Sequence, residues 1–225
     1  MLVGHYSLAL IARKVEPRLS LSAAILAAML ADFLWCVFMI AGVEEVRMKP
    51  GFTMSSGLRA VDVLEAGRVA FSHSLAMDII WAAIFAGAYF FWRRNAGAAW
   101  ILFALVLSHW LLDFVSHPPD MPLAPGIDRY FGLGLWTSFR ATLVVEGFMW
   151  LLAIMIYVSG KRLRRASRFV FFAGVIVLTL SWLGNIAGPP PSNLRIIGFS
   201  SLTFFSLTVV WAYLVDQLSV GFSSM

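Results

Sequence analysis

Cysteine and charge are both scarce in this chain. The one cysteine, Cys36, lies inside an apolar run. That excludes an intrachain disulfide and a CxxC metal site. Only 13% of the 225 residues are charged, against about 25% in a soluble domain. An ordinary cytosolic domain, a disordered chain and a secreted disulfide scaffold are therefore excluded. No internal repeat or low-complexity stretch is present. The segment Gly132-Leu-Gly134-Leu-Trp136 lacks the strand–helix setting of a nucleotide-binding loop. It reads as a flexible mouth segment or a short interfacial helix. No Lys or Arg precedes Arg13, so the start of the chain lacks the basic region of a signal peptide.

What the chain has in quantity is apolar sequence: 60% of residues are hydrophobic and the mean hydropathy is +0.84. A spanning helix needs about 20 apolar residues. The runs Leu19–Gly42, Ala70–Trp92, Ala98–Ser116, Ala141–Val158, Phe169–Ala187 and Gly198–Leu218 each meet or approach that length. The predicted fold is all-α: one integral membrane domain over residues 1–225, a polytopic bundle of about six spans. Residues 1–18 precede it as a short helix that dips into the bundle or lies at the interface.

The net charge of +5 does not imply nucleic acid here, because the basic residues sit in short loops between apolar runs, where they set orientation. Arg13, Lys14, Arg18, Arg93, Arg94, Lys161, Arg162, Arg164, Arg165 and Arg168 make ten of the seventeen. Six spans put all ten on one side. The expectation is a multi-pass inner-membrane protein with both ends of the six-span body cytoplasmic. The two long loops, near Val43–Val69 and His117–Arg140, then face the periplasm or exterior. The basic run from Lys161 to Arg168 also suits contact with anionic lipid.

Ionisable residues inside such spans are costly, roughly 2.5–3.5 kcal/mol for a central Asp, and they usually face the interior and serve a function. Counting about 1.5 Å of rise per residue puts Asp32, Asp113 and Glu146 roughly 20–22 Å above the inner face. His109 comes out somewhat deeper, and His73 and His117 nearer the outer surface. Four spans thus offer these groups to one slab in the outer half of the bilayer. In His109-x-x-x-Asp113-x-x-x-His117 the spacing of four puts all three on one helix face. Pro118 and Pro119 should end that helix near His117, leaving Asp120 in the mouth loop. Asp78 falls off the face of His73, and Asp216 lies near the last cytoplasmic end. Imidazole with carboxylate suits zinc, manganese or iron, zinc first.

The order His5, Asp32, Phe71-Ser72-His73-Ser74, then Leu107-Ser108-His109-Trp110-Leu111-Leu112-Asp113 resembles bacterial inner-membrane proteins grouped as membrane-bound metal-dependent hydrolases. The continuation Ser116-His117-Pro118-Pro119-Asp120-Met121-Pro122-Leu123, with Gly132–Trp136 and Val145-Glu146, is similar to one subgroup. The resemblance covers about residues 1–150. It extends distantly to the residue order of zinc-dependent phospholipase C, with one departure. Where that pattern ends in HxxxE, this chain has Glu146 but Thr142, which favours one or two ions over three.

The resemblance and the residue pattern together imply a metal site at His5, Asp32, His73, His109, Asp113 and His117. Asp32, Glu146 and Asp120 are then the candidate catalytic carboxylates. Arg129 and Arg140 are candidates for binding a phosphate. The activity implied is hydrolysis of an ester or phosphoester in a membrane lipid or similar amphiphile. Two other readings use the same residues: a proton or metal-ion path through a transporter or channel, and a metal-stabilised membrane scaffold with no turnover.

Overall fold

The computed structural model describes residues 1–49, 59, 64–66, 69–159, 164–189 and 193–219. Among them the chain forms eight α-helices and almost no strand. The helices are α1 (Leu2–Val15), α2 (Leu21–Ala28), α3 (Leu30–Ile40), α4 (Leu75–Arg93), α5 (Ala96–Ser116), α6 (Phe139–Val158), α7 (Arg165–Ala187) and α8 (Leu194–Ser219). Two short antiparallel ribbons occupy the long loops. One pairs Val46–Met48 with Leu64–Ala66, the other Met121–Pro122 with Tyr130–Phe131. Parts of the expected loops lie outside the described residues: Asp62, Lys161, Arg162, Pro190 and Pro191.

Helices α4 to α8 each hold a stretch long and apolar enough to cross a membrane. The first expected span is instead two helices, α2 and α3, bent by 58° at Met29. Counted as one broken span, the pair makes a sixth. Polar caps set several helix starts: Ser20, Ser74, Asn95 and Ser138 each accept a backbone N–H of the first turn through the side chain, which satisfies a donor the helix leaves free. The α4–α5 turn is tight because Arg94 takes a left-handed conformation (φ 53°) directly before the Asn95 cap. Helices α4 and α5 pack against each other, and small residues, Ala82 and Ala86 on α4 and Ala98 and Ala99 on α5, are buried. Small side chains of that kind let membrane helices approach closely.

Helix α1 does not lie at the interface. Val3, Tyr6, Ala9 and Leu10 are fully buried, and the helix packs against α2, α5 and α6. Its 14 residues span only about 21 Å at 1.5 Å each, so it is a half-span. Its basic end is fixed at one face of the bundle: the Lys14 ammonium donates to the Ser159 carbonyl after α6, and Arg13 lies 3.8 Å from Asp216 on α8. Its other end stops inside the bundle, against α5.

The glycine segment after α5 leads into a short 3-10 helix, Leu135–Thr137, and is tied to the end of α5. Leu133 N–H donates to the Phe114 carbonyl and Gly134 N–H to the His117 carbonyl, both at 2.7 Å, which closes carbonyls that α5 leaves open. The crossing is so close that a Cβ at Gly132 would stand 2.2 Å from the Pro118 carbonyl oxygen. Gly132→Ala is therefore expected to destabilise the protein by about 1–3 kcal/mol, the usual cost of overpacking. Gly87→Ala, where nothing lies within 4 Å, should leave the thermal midpoint unchanged or slightly raised. Thermal unfolding of both variants in detergent checks the pair.

Candidate metal centre

Four parts of the chain deliver polar side chains to one buried point. The start of α1 brings His5, the first turn of α3 brings Asp32, the residue before the α4 cap is His73, and α5 brings His109 and Asp113. The bend at Met29 has two local consequences. It starts a new helix three residues before Asp32, and a carboxylate in a first turn is stabilised by the helix dipole. It also leaves the Ala28 carbonyl at the end of α2 free to meet His109 Nδ1 at 2.8 Å.

The resulting geometry is close. His109 Nε2 is 3.2 Å from Asp113 Oδ2 and 3.9 Å from Asp32 Oδ1. His73 Nε2 is 3.5 Å from Asp32 Oδ1 and 3.9 Å from Asp113 Oδ2. His5 Nε2 is 3.2 Å from Asp113 Oδ1, and its ring stacks on that of His109 with centroids 3.8 Å apart. Two sets, His5 with Asp32 and His109, and His73 with His109 and Asp113, each offer ligand atoms all within 4.8 Å of one another. These groups could hold a metal ion.

Proton counting sharpens this. A carbonyl only accepts, so His109 Nδ1 carries the hydrogen that Ala28 receives, and in the neutral ring Nε2 bears a lone pair. That nitrogen is buried and has no hydrogen-bond partner. Although Asp113 is 3.2 Å away, the pair is off the hydrogen-bonding line. In that neutral form an acceptor nitrogen faces carboxylate oxygens, and a cation between them would satisfy both. A positive charge already faces the other oxygen of Asp113: the Met1 amino nitrogen lies 2.5 Å from Oδ1 and 3.1 Å from His5 Nε2.

The remaining residues expected at the site form a separate polar layer. His117 is the residue after the last turn of α5, with extended backbone (φ −71°, ψ 149°). It therefore leaves the face that His109 and Asp113 share. Its Nδ1 is 3.0 Å from Asp120 Oδ1, and its ring leans on Trp136 at 4.5 Å. Trp136 Nε1 donates to Glu146 Oε1 at 2.9 Å. Glu146 is fully buried with Oε2 unpartnered. Arg129 and Arg140 are exposed, in the α5–α6 connection and the first turn of α6.

Two further carboxylates, Asp78 of the second apolar run and Glu44 of the first long loop, are also buried. Asp78 accepts the Trp110 N–H at 3.2 Å, and its other oxygen has no partner. Glu44 is buried beside His73. A glutamate in a mixed-charge loop reads as solvated, so nothing in the sequence marks it.

The fold and this centre define a class: a polytopic helical membrane protein with histidines and aspartates clustered inside the bundle. A family model described as YdjM inner membrane protein matches residues 1–188, from α1 through the end of α7. The chain belongs to this inner-membrane family, and every residue of the cluster lies within the matched region. Comparison with curated proteins and with solved structures returned no match.

The Trp136–Glu146 bond can be tested by itself. Trp136→Phe keeps most of the ring but leaves both oxygens of a buried carboxylate unpartnered, at an expected cost of about 1–3 kcal/mol. Unfolding of the variant beside the parent protein measures it.

Proposed function

We propose that this protein is a membrane-bound metal-dependent hydrolase acting on an ester or phosphoester of a lipid or similar amphiphile. The observation that supports the reading most is the unpaired Nε2 of His109 facing Asp32 and Asp113, with His73 and His5 converging on the same point. In this reading His73, His109 and Asp113 hold zinc, with His5 and Asp32 completing one site or sharing a second ion. Nitrogen and oxygen donors of this kind suit zinc, manganese or iron. A bound divalent ion supplies Lewis-acid polarisation of the scissile group and acidifies water.

The chain's own residues would do the rest. Asp32 is the most exposed member of the cluster, at 20%. In this reading it would take a proton from the attacking water. His117 with Asp120, and Glu146 behind Trp136, form the neighbouring layer from which a leaving group can be protonated. Arg129 and Arg140 are exposed and would bind the anionic head of the substrate. An ion path is less well supported. Towards the basic face, Ala9, Leu10, Ala24, Ala98 and Leu102 are buried, and their side chains are apolar.

The orientation proposed is the one the basic residues suggest. The basic end of α1, Ser159 after α6 and Asp216 on α8 meet at one face. Glu16, next to that end, reaches the α4–α5 turn at Gly97. This gathers Arg13, Lys14, Arg93 and Arg94 on one side; in this reading that side is cytoplasmic and the loop after α5 is outside. A reporter fused after Arg165 should read cytoplasmic and one near Gly126 external; the reverse pair would overturn the orientation.

Gently purified protein should carry about one or two equivalents of a divalent transition metal. Zinc at about a hundred times its Kd should stabilise the fold by about 2.7 kcal/mol. Asp113→Asn keeps size and hydrogen bonding but removes the charge, so it should lose the metal, the zinc-induced rise in midpoint and hydrolysis together. Asp216→Ala should lose none of these. A wild-type protein that takes up no zinc, manganese or iron would end the metal reading. Full metal without turnover of any member of a phospholipid and ester panel would leave a metal-stabilised scaffold.

A further inference from the structure

His73 is held from behind by residues that the proposed chemistry has not used. Glu44 Oε1 accepts the backbone N–H of Phe71 at 2.8 Å and of Ser72 at 2.9 Å. Its Oε2 accepts the Ser72 hydroxyl at 2.5 Å. The Ser72 oxygen in turn lies 2.7 Å from His73 Nδ1. All of this is dry: Glu44, Ser72 and His73 are buried.

The direction of each bond follows from counting hydrogens. A carboxylate only accepts, and a serine hydroxyl has one hydrogen to give. Ser72 gives it to Glu44. The contact with His73 can then be satisfied only if Nδ1 carries a hydrogen and donates it to the Ser72 oxygen. The other ring nitrogen, Nε2, is left with its lone pair. That is the nitrogen facing Asp32 and Asp113. His109 reaches the same tautomer through the Ala28 carbonyl. Glu44 is itself anchored to α3: the N–H groups of Val43 and Glu44 both meet the Phe38 carbonyl, at 2.8 and 3.2 Å. The helix that carries Asp32 therefore also carries the group that orients His73.

We propose that Glu44 and Ser72 are positioning residues that lock His73 in the Nδ1–H tautomer and aim Nε2 into the centre as a lone-pair donor. The tautomer is a property of the metal-free protein. Its consequence for metal affinity rests on the reading of the centre given above.

The two can be tested apart. Protein labelled with ¹⁵N-histidine is examined in detergent, metal-free, at the alkaline end of the range in which it stays folded. Long-range nitrogen–proton correlations report which ring nitrogen carries the hydrogen, and His73→Gln identifies the His73 signals. The parent protein should show His73 protonated at Nδ1. In Glu44→Gln, the side-chain carbonyl can keep the two backbone bonds while the amide NH₂ donates to Ser72. The serine hydrogen then turns to Nδ1, and the tautomer should invert to Nε2–H. Ser72→Ala should release the ring to a mixture, and Ser72→Thr should restore the parent signature. Zinc affinity should fall about 10–100-fold in Glu44→Gln and Ser72→Ala, the usual cost of losing a residue that orients a ligand, and recover in Ser72→Thr.

A parent ring protonated at Nε2, or a tautomer unchanged in both Glu44→Gln and Ser72→Ala, would overturn the clamp. Inversion of the tautomer in a protein that binds no metal would uphold the clamp and overturn the metal centre. If Glu44→Gln fails to fold, the Ser72→Ala and Ser72→Thr pair decides alone.

Discussion

The carboxylate of Asp113 is buried on α5, a helix whose other buried side chains, Leu102, Leu105, Val106 and Trp110 among them, suit the membrane interior. Charge at such depth is costly unless partners surround it. Much of the bundle can be read as the supply of those partners. His109 comes from the same helix one turn back. His5 and the Met1 amino group reach it on α1, and His73 reaches it from the start of α4. A half-span penetrates the bundle and the first span is broken. Here the half-span delivers His5, and the break delivers both the Ala28 carbonyl and Asp32.

The partners are arranged so that they do not satisfy one another completely. His109 Nδ1 meets a backbone carbonyl, and His73 Nδ1 meets a serine held by Glu44. Their Nε2 atoms face the carboxylate oxygens of Asp32 and Asp113. The Met1 ammonium turns its hydrogens inward, to Asp113 and His5. Neutral imidazole with its second nitrogen oriented from outside is the form in which histidine ligates metals.

The end of α5 separates two polar layers. Pro118 and Pro119 stop the helix, and the glycine segment closes over its open carbonyls. His117 is thereby swung out to Asp120 and Trp136 rather than stacked above Asp113. Trp136 ties this outer layer to Glu146 on α6. A reaction needing both a cation and a proton donor would find them on adjacent turns of the chain, held by different helices.

The apolar runs by themselves determined that the chain is a helical membrane bundle, because about 20 consecutive apolar residues have few other stable forms. The four-residue spacing also determined that His109 and Asp113 share a face, since local helix geometry is set by sequence separation. The same spacing did not carry to His117, because the helix ends one residue before it and the period no longer applies. That α1 enters the bundle, that the first span breaks at Met29, and that His5, Asp32 and His73 converge on His109 and Asp113 were decided only by packing between segments distant in the chain. Glu44 shows the limit most clearly. In sequence it is one acid among the charges of a polar loop. It became a buried clamp on His73 only when the end of α3 folded against the start of α4, where two backbone N–H groups and a hydroxyl replaced the water that would otherwise have solvated it.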